Sequence, residues 1–286
     1  MIRVASVAIG LAATVIAAFA TPIRAQLPDY PLAPLRPSGD LVAPYFDGWY
    51  ANTDGSFTLS FGFLNRNTRE NVYIPLGPNN FVEPEEFDGV QPEYFPAVFR
   101  GGFEGRRERG AFAIRVPASF ANRDVVWTLT HAGQSYSIPG RVTSPAYELS
   151  RAPYSAGSLP PEARFREGGP VSTGREGIYS DPETVSVGVA LPVSLWVRDR
   201  GERENNRLYP VEVTWQRHQG PGPVDFGTVE LVEESDGWAK LEMMVTFSEP
   251  GEYVLRARID NFRAPDSGFD YNCCWSNAYV PVAVIR

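Results

Sequence analysis

The adjacent pair Cys273-Cys274 is the strongest chemical singularity in this 286-residue chain, because these are its only two cysteines. Neighbouring Cα atoms across a trans peptide lie about 3.8 Å apart, closer than the roughly 4.4–6.8 Å that an ordinary disulfide prefers. Successive strand side chains also point to opposite faces. Three readings follow from the residues: a vicinal disulfide that locks a turn before a last strand, two separately buried thiols, or a redox or metal site. The only imidazoles are His131 and His218, each beside a glycine-containing turn and in different parts of the chain. Both read as solvated turn residues, which leaves a zinc-type ligand set short of nitrogen donors.

Other groupings of reactive types each carry a structural alternative. Asp260, Asp266 and Asp270, with Asn261 and Asn272, crowd the stretch before the cysteines and supply the hard oxygen donors that calcium takes. The spacing matches no standard calcium loop, and Asp and Asn favour turns by bonding to nearby backbone. Trp49 and Tyr50, together with Tyr271 and Trp275, offer rings that stack on sugars or fill a core. Glu83, Glu85 and Glu86 form an acidic turn in which a carboxylate pair could act, although glycosidase pairs have no local spacing. GxSxG, HExxH, P-loop, GxGxxG and CxxCH motifs are all missing from the sequence. The expectation is therefore a non-catalytic protein with no cofactor beyond a calcium candidate.

The elements that would position these residues begin with a secretory signal over residues 1–25. Arg3 supplies the positive start, residues 4–20 are apolar, and small residues allow cleavage after Ala20 or Ala25. The apolar stretch is slightly short for a membrane-spanning helix. Removing the signal takes Arg3 and Arg24 with it, so the formal charge moves from −8 to −10. Such an acidic chain lacks the phosphate-neutralising stripe of a nucleic-acid binder. Arg100 to Arg109 is the local exception, with four arginines among glycines, and reads as a solvated hairpin or loop.

Residues 26–40 form a leader in which Pro28, Pro31, Pro34 and Pro37 recur every three residues, the period of polyproline II. From 41 to 143 the pattern is that of strands. Trp49-Tyr50 and Phe57-Thr58-Leu59-Ser60-Phe61 flank Asn52-Thr53-Asp54-Gly55, a hairpin signal. Phe112, Ile114 and Val116, then Val125, Trp127 and Leu129, line one face each. Residues 144–182 are rich in Gly, Pro and Ser without apolar periodicity, and read as a linker. A second domain over 183–286 opens with valines and leucines at every odd position from Val185 to Val197, with a bend or change of partner at Gly188 and Pro192. The predicted fold class is all-β, two β-sandwich domains in tandem.

Val213-Thr214-Trp215, Gly220-Pro221-Gly222-Pro223-Val224 and Val245-Thr246-Phe247-Ser248-Glu249-Pro250-Gly251-Glu252-Tyr253-Val254-Leu255 resemble an immunoglobulin-like domain of the PKD kind. The resemblance implies a β-sandwich used as a spacer or interaction module, with Tyr253 as a tyrosine corner. Asp47-Gly48-Trp49-Tyr50, Phe61-Gly62-Phe63-Leu64-Asn65-Arg66-Asn67, Ile74-Pro75-Leu76-Gly77-Pro78-Asn79-Asn80 and Cys273-Cys274-Trp275 are similar to a group of uncharacterised exported bacterial proteins. That likeness implies export and architecture but no activity. The functional expectation is an exported, periplasmic or extracellular scaffold or binding protein, with no transmembrane segment after cleavage and a protein or polysaccharide of the cell envelope as partner. The alternative is a component of a periplasmic redox or hydrolytic system that uses the cysteines or the acidic residues.

Overall fold

Alternation of large apolar residues with small or polar ones makes the first half of the chain a set of strands. The computed structural model describes residues 34–99, 106–149, 159–172, 175–200, 209–233, 235–261 and 274–286. Residues Leu35–Arg286 constitute one structural unit. The first-half strands are β1 (Val42–Ala51), β2 (Phe57–Asn65), β3 (Val72–Tyr73), β4 (Asn80–Glu83), β5 (Tyr94–Phe95), β6 (Arg107–Val116), β7 (Val125–His131) and β8 (Gln134–Gly140). They form the antiparallel sheets β1-β2-β6 and β4-β7-β8, with β3 and β5 as a short separate pair. The β1–β2 turn falls on Asn52-Thr53-Asp54-Gly55, where Asn52 and Ser56 close the hairpin and Gly55 takes φ +83°.

The inward positions of the two sheets interleave aromatics. Phe61 stacks on Phe112 at 5.2 Å, and Trp127 meets Phe112 edge-on at 4.9 Å. Each such side chain contributes about 1.5–3 kcal/mol by leaving water. Burying Trp127 requires a partner for its indole N–H, which donates to Asn80 Oδ1 at 3.0 Å. The Asn80 amide nitrogen in turn donates to the carbonyls of Ile74 and Pro92 at 3.0 and 2.7 Å. One buried asparagine thus ties β4, the 74–80 turn and the 92 loop to the aromatic core. Gly140 lets β8 pass over this core, since a Cβ there would lie 2.6 Å from the Phe61 ring.

The second-half strands are β9 (Glu162–Arg164), β10 (Ile178–Tyr179), β11 (Glu183–Ser186), β12 (Leu191–Arg198), β13 (Glu212–Gln219), β14 (Val224–Phe226), β15 (Glu230–Glu233), β16 (Ala239–Phe247), β17 (Gly251–Asp260) and β18 (Trp275–Ile285). One sheet runs β10-β18-β17-β13, with β11 also paired to β18, and the facing sheet runs β14-β16-β12-β9, with β15 also paired to β16. Val193, Val245, Leu255 and Val282 fill the space between them. The odd-position run from Val185 to Val197 divides at Gly188, which adopts φ +75°. Its first part, β11, runs parallel to β18, whereas β12 runs antiparallel to β16 in the opposite sheet. The bend is therefore the crossing between sheets, and the single periodicity arises because both strands face one core. The described residues contain strands and 3-10 turns but no α-helix, and the fold is all-β, built from β-sandwiches.

Within 144–182, the stretch assigned above to a linker, β9 pairs with β12 and β10 with β18. Short edge strands tolerate the Gly and Pro that argue against longer ones. At the other end of the sandwich, the Tyr253 hydroxyl donates to the Glu249 carbonyl at 2.9 Å and accepts from the Gly222 N–H at 3.0 Å. The geometry is that of a tyrosine corner, binding the 249–253 bend to the 220–223 turn. Tyr253→Phe removes both bonds and leaves the buried Gly222 N–H without its acceptor. The expected loss is about 1–3 kcal/mol, read as a lower urea midpoint with an unchanged slope.

Candidate functional site

The outward face of β17 and its neighbours carries polar residues, as a sandwich face turned to water would. Cross-strand pairing sets Gln216, Arg256 and Tyr279 in one row, and Thr214, Arg258 and Asn277 in the next. Gln216, Arg256, Arg258, Asn277 and Tyr279 are nevertheless buried, along with Asp260. The first half of the chain covers this face, and β6 supplies the matching charge.

At the centre of the seam the Glu108 carboxylate lies 3.2 Å from Arg258 Nη1 and 3.6 Å from Arg256 Nη1. Arg258 also meets Asp260 at 3.1 Å, so two guanidiniums face two carboxylates. The side chains of Glu108 and Arg256 are 0% exposed. Arg256 donates through Nε to Asn277 Oδ1 at 2.9 Å and through Nη2 to the Gly110 carbonyl at 2.5 Å. The Gly110 N–H donates to Asp47 Oδ2 at 2.8 Å, and the other Asp47 oxygen accepts from Arg107 at 2.7 Å. Gly110 has φ +59°, and a Cβ on it would fall 1.9 Å from Trp275 Nε1. Only glycine allows β6 to come this close.

Two of the aromatics expected to stack on a ligand or fill a core, Tyr50 and Trp275, meet at this same seam. Tyr50 and Trp275 are both buried, edge to face at 6.1 Å, with Leu149 completing their cluster. The Arg175 guanidinium lies 3.3 Å from the Tyr50 ring centroid. Burial raises the Tyr50 hydroxyl pKa, with Arg175 acting in the opposite direction. Trp49 is buried in the first-half core and donates its indole N–H to the Ser144 carbonyl at 2.9 Å. Cys274 is buried, has φ +73° and is disulfide-bonded. Of the calcium candidates, Asp260 faces Arg258 inside the seam. Cys273, Tyr271, Asp266 and Asp270 lie outside the described residues.

His218 departs from the turn position expected of it, because it lies in β13 and is buried. Its Nε2 is 2.8 Å from the Val90 carbonyl and must be the donor, and its ring lies against Tyr279 at 5.2 Å. Nδ1 is buried without a partner. The chain around it is bound on both sides. The Glu93 N–H donates to the His218 carbonyl, the Gln219 amide to the Gly89 and Gln91 carbonyls, and the Gly220 N–H to the Glu93 carboxylate, all at 2.8–2.9 Å. Burial foremost, and then the Arg256 charge, depresses the His218 pKa to about 3.

Glu108, Arg256, Arg258 and His218 escaped the sequence reading as a site. The available signal was Arg256, Arg258 and Asp260 on alternate positions of one strand, a pattern identical to that of an ordinary wet face. Among the described residues, no three His, Cys, Asp or Glu side chains gather as a metal site would require.

Two outcomes follow from this chemistry. Glu108→Ala leaves two buried guanidiniums facing one carboxylate, and is expected to cost about 3–5 kcal/mol in a chemical-denaturation measurement. For His218, the unfolded chain takes up a proton near pH 6.5 while the folded chain resists until about pH 3. The contribution of the neutral ring is complete above pH 6.5 and declines as pH falls through that window, by on the order of 4–5 kcal/mol in full. A His218→Gln variant should show a flatter stability profile between pH 6.5 and 3 than the parent.

No protein-family model matches the chain, and no curated protein matches it. Among solved structures, it is similar to domains 4 and 5 of the S-layer protein SbsC at 12% identity, over 86% of this chain and 98% of that one, with a TM-score of 0.25. A superposition that loose carries no argument about function.

Proposed function

We propose that the chain is an exported, non-catalytic scaffold or binding protein of the cell envelope, presenting the loops of two joined sandwiches to a protein or polysaccharide partner. Export is supported by the signal pattern of residues 1–25. The observation that carries the scaffold reading is the seam, where Glu108, Arg256, Arg258 and Asp260 compensate one another out of contact with water. Groups spent in this way hold the halves of Leu35–Arg286 in a fixed relation. In this reading the domains are 41–143 and 183–286, with 144–182 contributing edge strands as well as connection. In this reading the disulfide-bonded Cys274 locks the turn that enters β18, as a vicinal pair before the last strand would.

The test is affinity capture with the purified exported protein from its own envelope extract, alongside retention on insoluble cell-wall material. Recovery of one stoichiometric protein, or saturable retention on the wall, is expected. Retention of neither overturns the reading, as does turnover of a redox or hydrolase substrate that is lost on Cys274→Ser in a folded protein.

A further inference from the structure

Beside the seam, Arg107 and Arg109, at the described end of the arginine-rich stretch 100–109, open on a cleft of about 690 Å³. That size lies within the range of small-ligand sites, about 300–1,000 Å³. Tyr45, Phe46 and Asp47 come from β1, Arg107 and Arg109 from β6, Arg141 from just past β8, and Tyr147 from the 3-10 turn Pro145–Tyr147. The lining thus carries three guanidiniums and one carboxylate, in a chain whose formal charge is −8. The Asp47 side chain is 1% exposed and occupied by Arg107 and the Gly110 N–H, so it presents little to an incoming anion. Arg141 is 53% exposed and pairs with Asp124 at the surface, a partner that another carboxylate can displace. Tyr147 is 49% exposed, and its ring leans on Phe46 at 5.6 Å.

We infer that this cleft binds a carboxylate-bearing sugar chain, a uronate polysaccharide, with Arg141 and its neighbouring guanidiniums taking the carboxylates and Tyr147 the apolar face of a sugar ring. The guanidinium fork takes a planar carboxylate in bidentate fashion, as it takes a phosphate. The exposed aromatic ring favours a sugar over a featureless polyanion. This assignment rests on the binding role proposed above and specifies its ligand.

The test is calorimetric titration of the purified protein with hexagalacturonate, with maltohexaose and inorganic polyphosphate as comparison ligands. Saturable binding of hexagalacturonate is expected, weakening as salt rises. Arg141→Gln and Tyr147→Ala should each weaken it about tenfold or more. Both side chains are well exposed, so the variants should keep the parental denaturation midpoint, which is measured in parallel. Absence of hexagalacturonate binding overturns the assignment, as does equal binding of maltohexaose, preference for polyphosphate, or affinity unchanged in both folded variants. A protein that captures an envelope protein but ignores hexagalacturonate retains the scaffold role and loses this ligand.

Discussion

The rest of the structure depends on the compensation of Glu108 by Arg256 and Arg258 in a space closed to water. Taking such charges out of water costs several kcal/mol per ion, and attraction between them repays this only with good geometry and further hydrogen bonds. The surrounding elements meet that requirement. Asn277 and the Gly110 carbonyl take up Arg256, and Asp260 takes up the second guanidinium. An apolar seam would tolerate sliding, whereas this one pins the register of β6 against β17 and β18 by direction as well as by area. Specificity of docking is the gain to set against the desolvation cost.

The glycines and bulges near the seam are consequences of the same constraint. β1 shifts register between Phe46 and Gly48, and β2 between Phe61 and Phe63. Gly62 stands where a Cβ would be 2.3 Å from the Glu108 carbonyl, and Gly110 where one would meet Trp275. A bulge turns a side chain out of its regular alternation. Here it brings Asp47 to the Gly110 N–H, which regular pairing would aim elsewhere.

Strand periodicity and turn residues made the all-β architecture legible, along with the Asn52–Gly55 hairpin and the change of partner at Gly188, whereas the corner at Tyr253 was implied by the resemblance to PKD-type domains. The first three follow from local rules, alternation and positive φ at glycine. The seam did not show itself, because alternation reports only which face of a strand is apolar. Arg256 and Arg258 look the same in sequence whether water or Glu108 lies above them, and Glu108 is 148 residues from the first of them. His218 was misplaced for a related reason. The Gly220-Pro221-Gly222 turn beside it is real, but β13 continues to Gln219 and the 89–93 loop closes over the ring. Tyr50 and Trp275 have the composition of a sugar platform, and only the approach of the two halves makes them a buried pair.

Asp47 joins the seam to the cleft beside it. One of its oxygens accepts the Gly110 N–H, whose carbonyl holds Arg256, and the other orients Arg107 on the cleft wall, where that guanidinium also lies over the Tyr45 ring at 4.4 Å. A surface arginine ordinarily loses rotamer freedom when it binds a ligand, and that loss subtracts from affinity. Arg107 has lost much of it already, because the carboxylate that holds it is fixed by the backbone at the seam. The buried charges between the halves therefore extend their influence to the surface. They set the direction in which a cationic side chain faces, and with it the shape of the arginine-lined cleft.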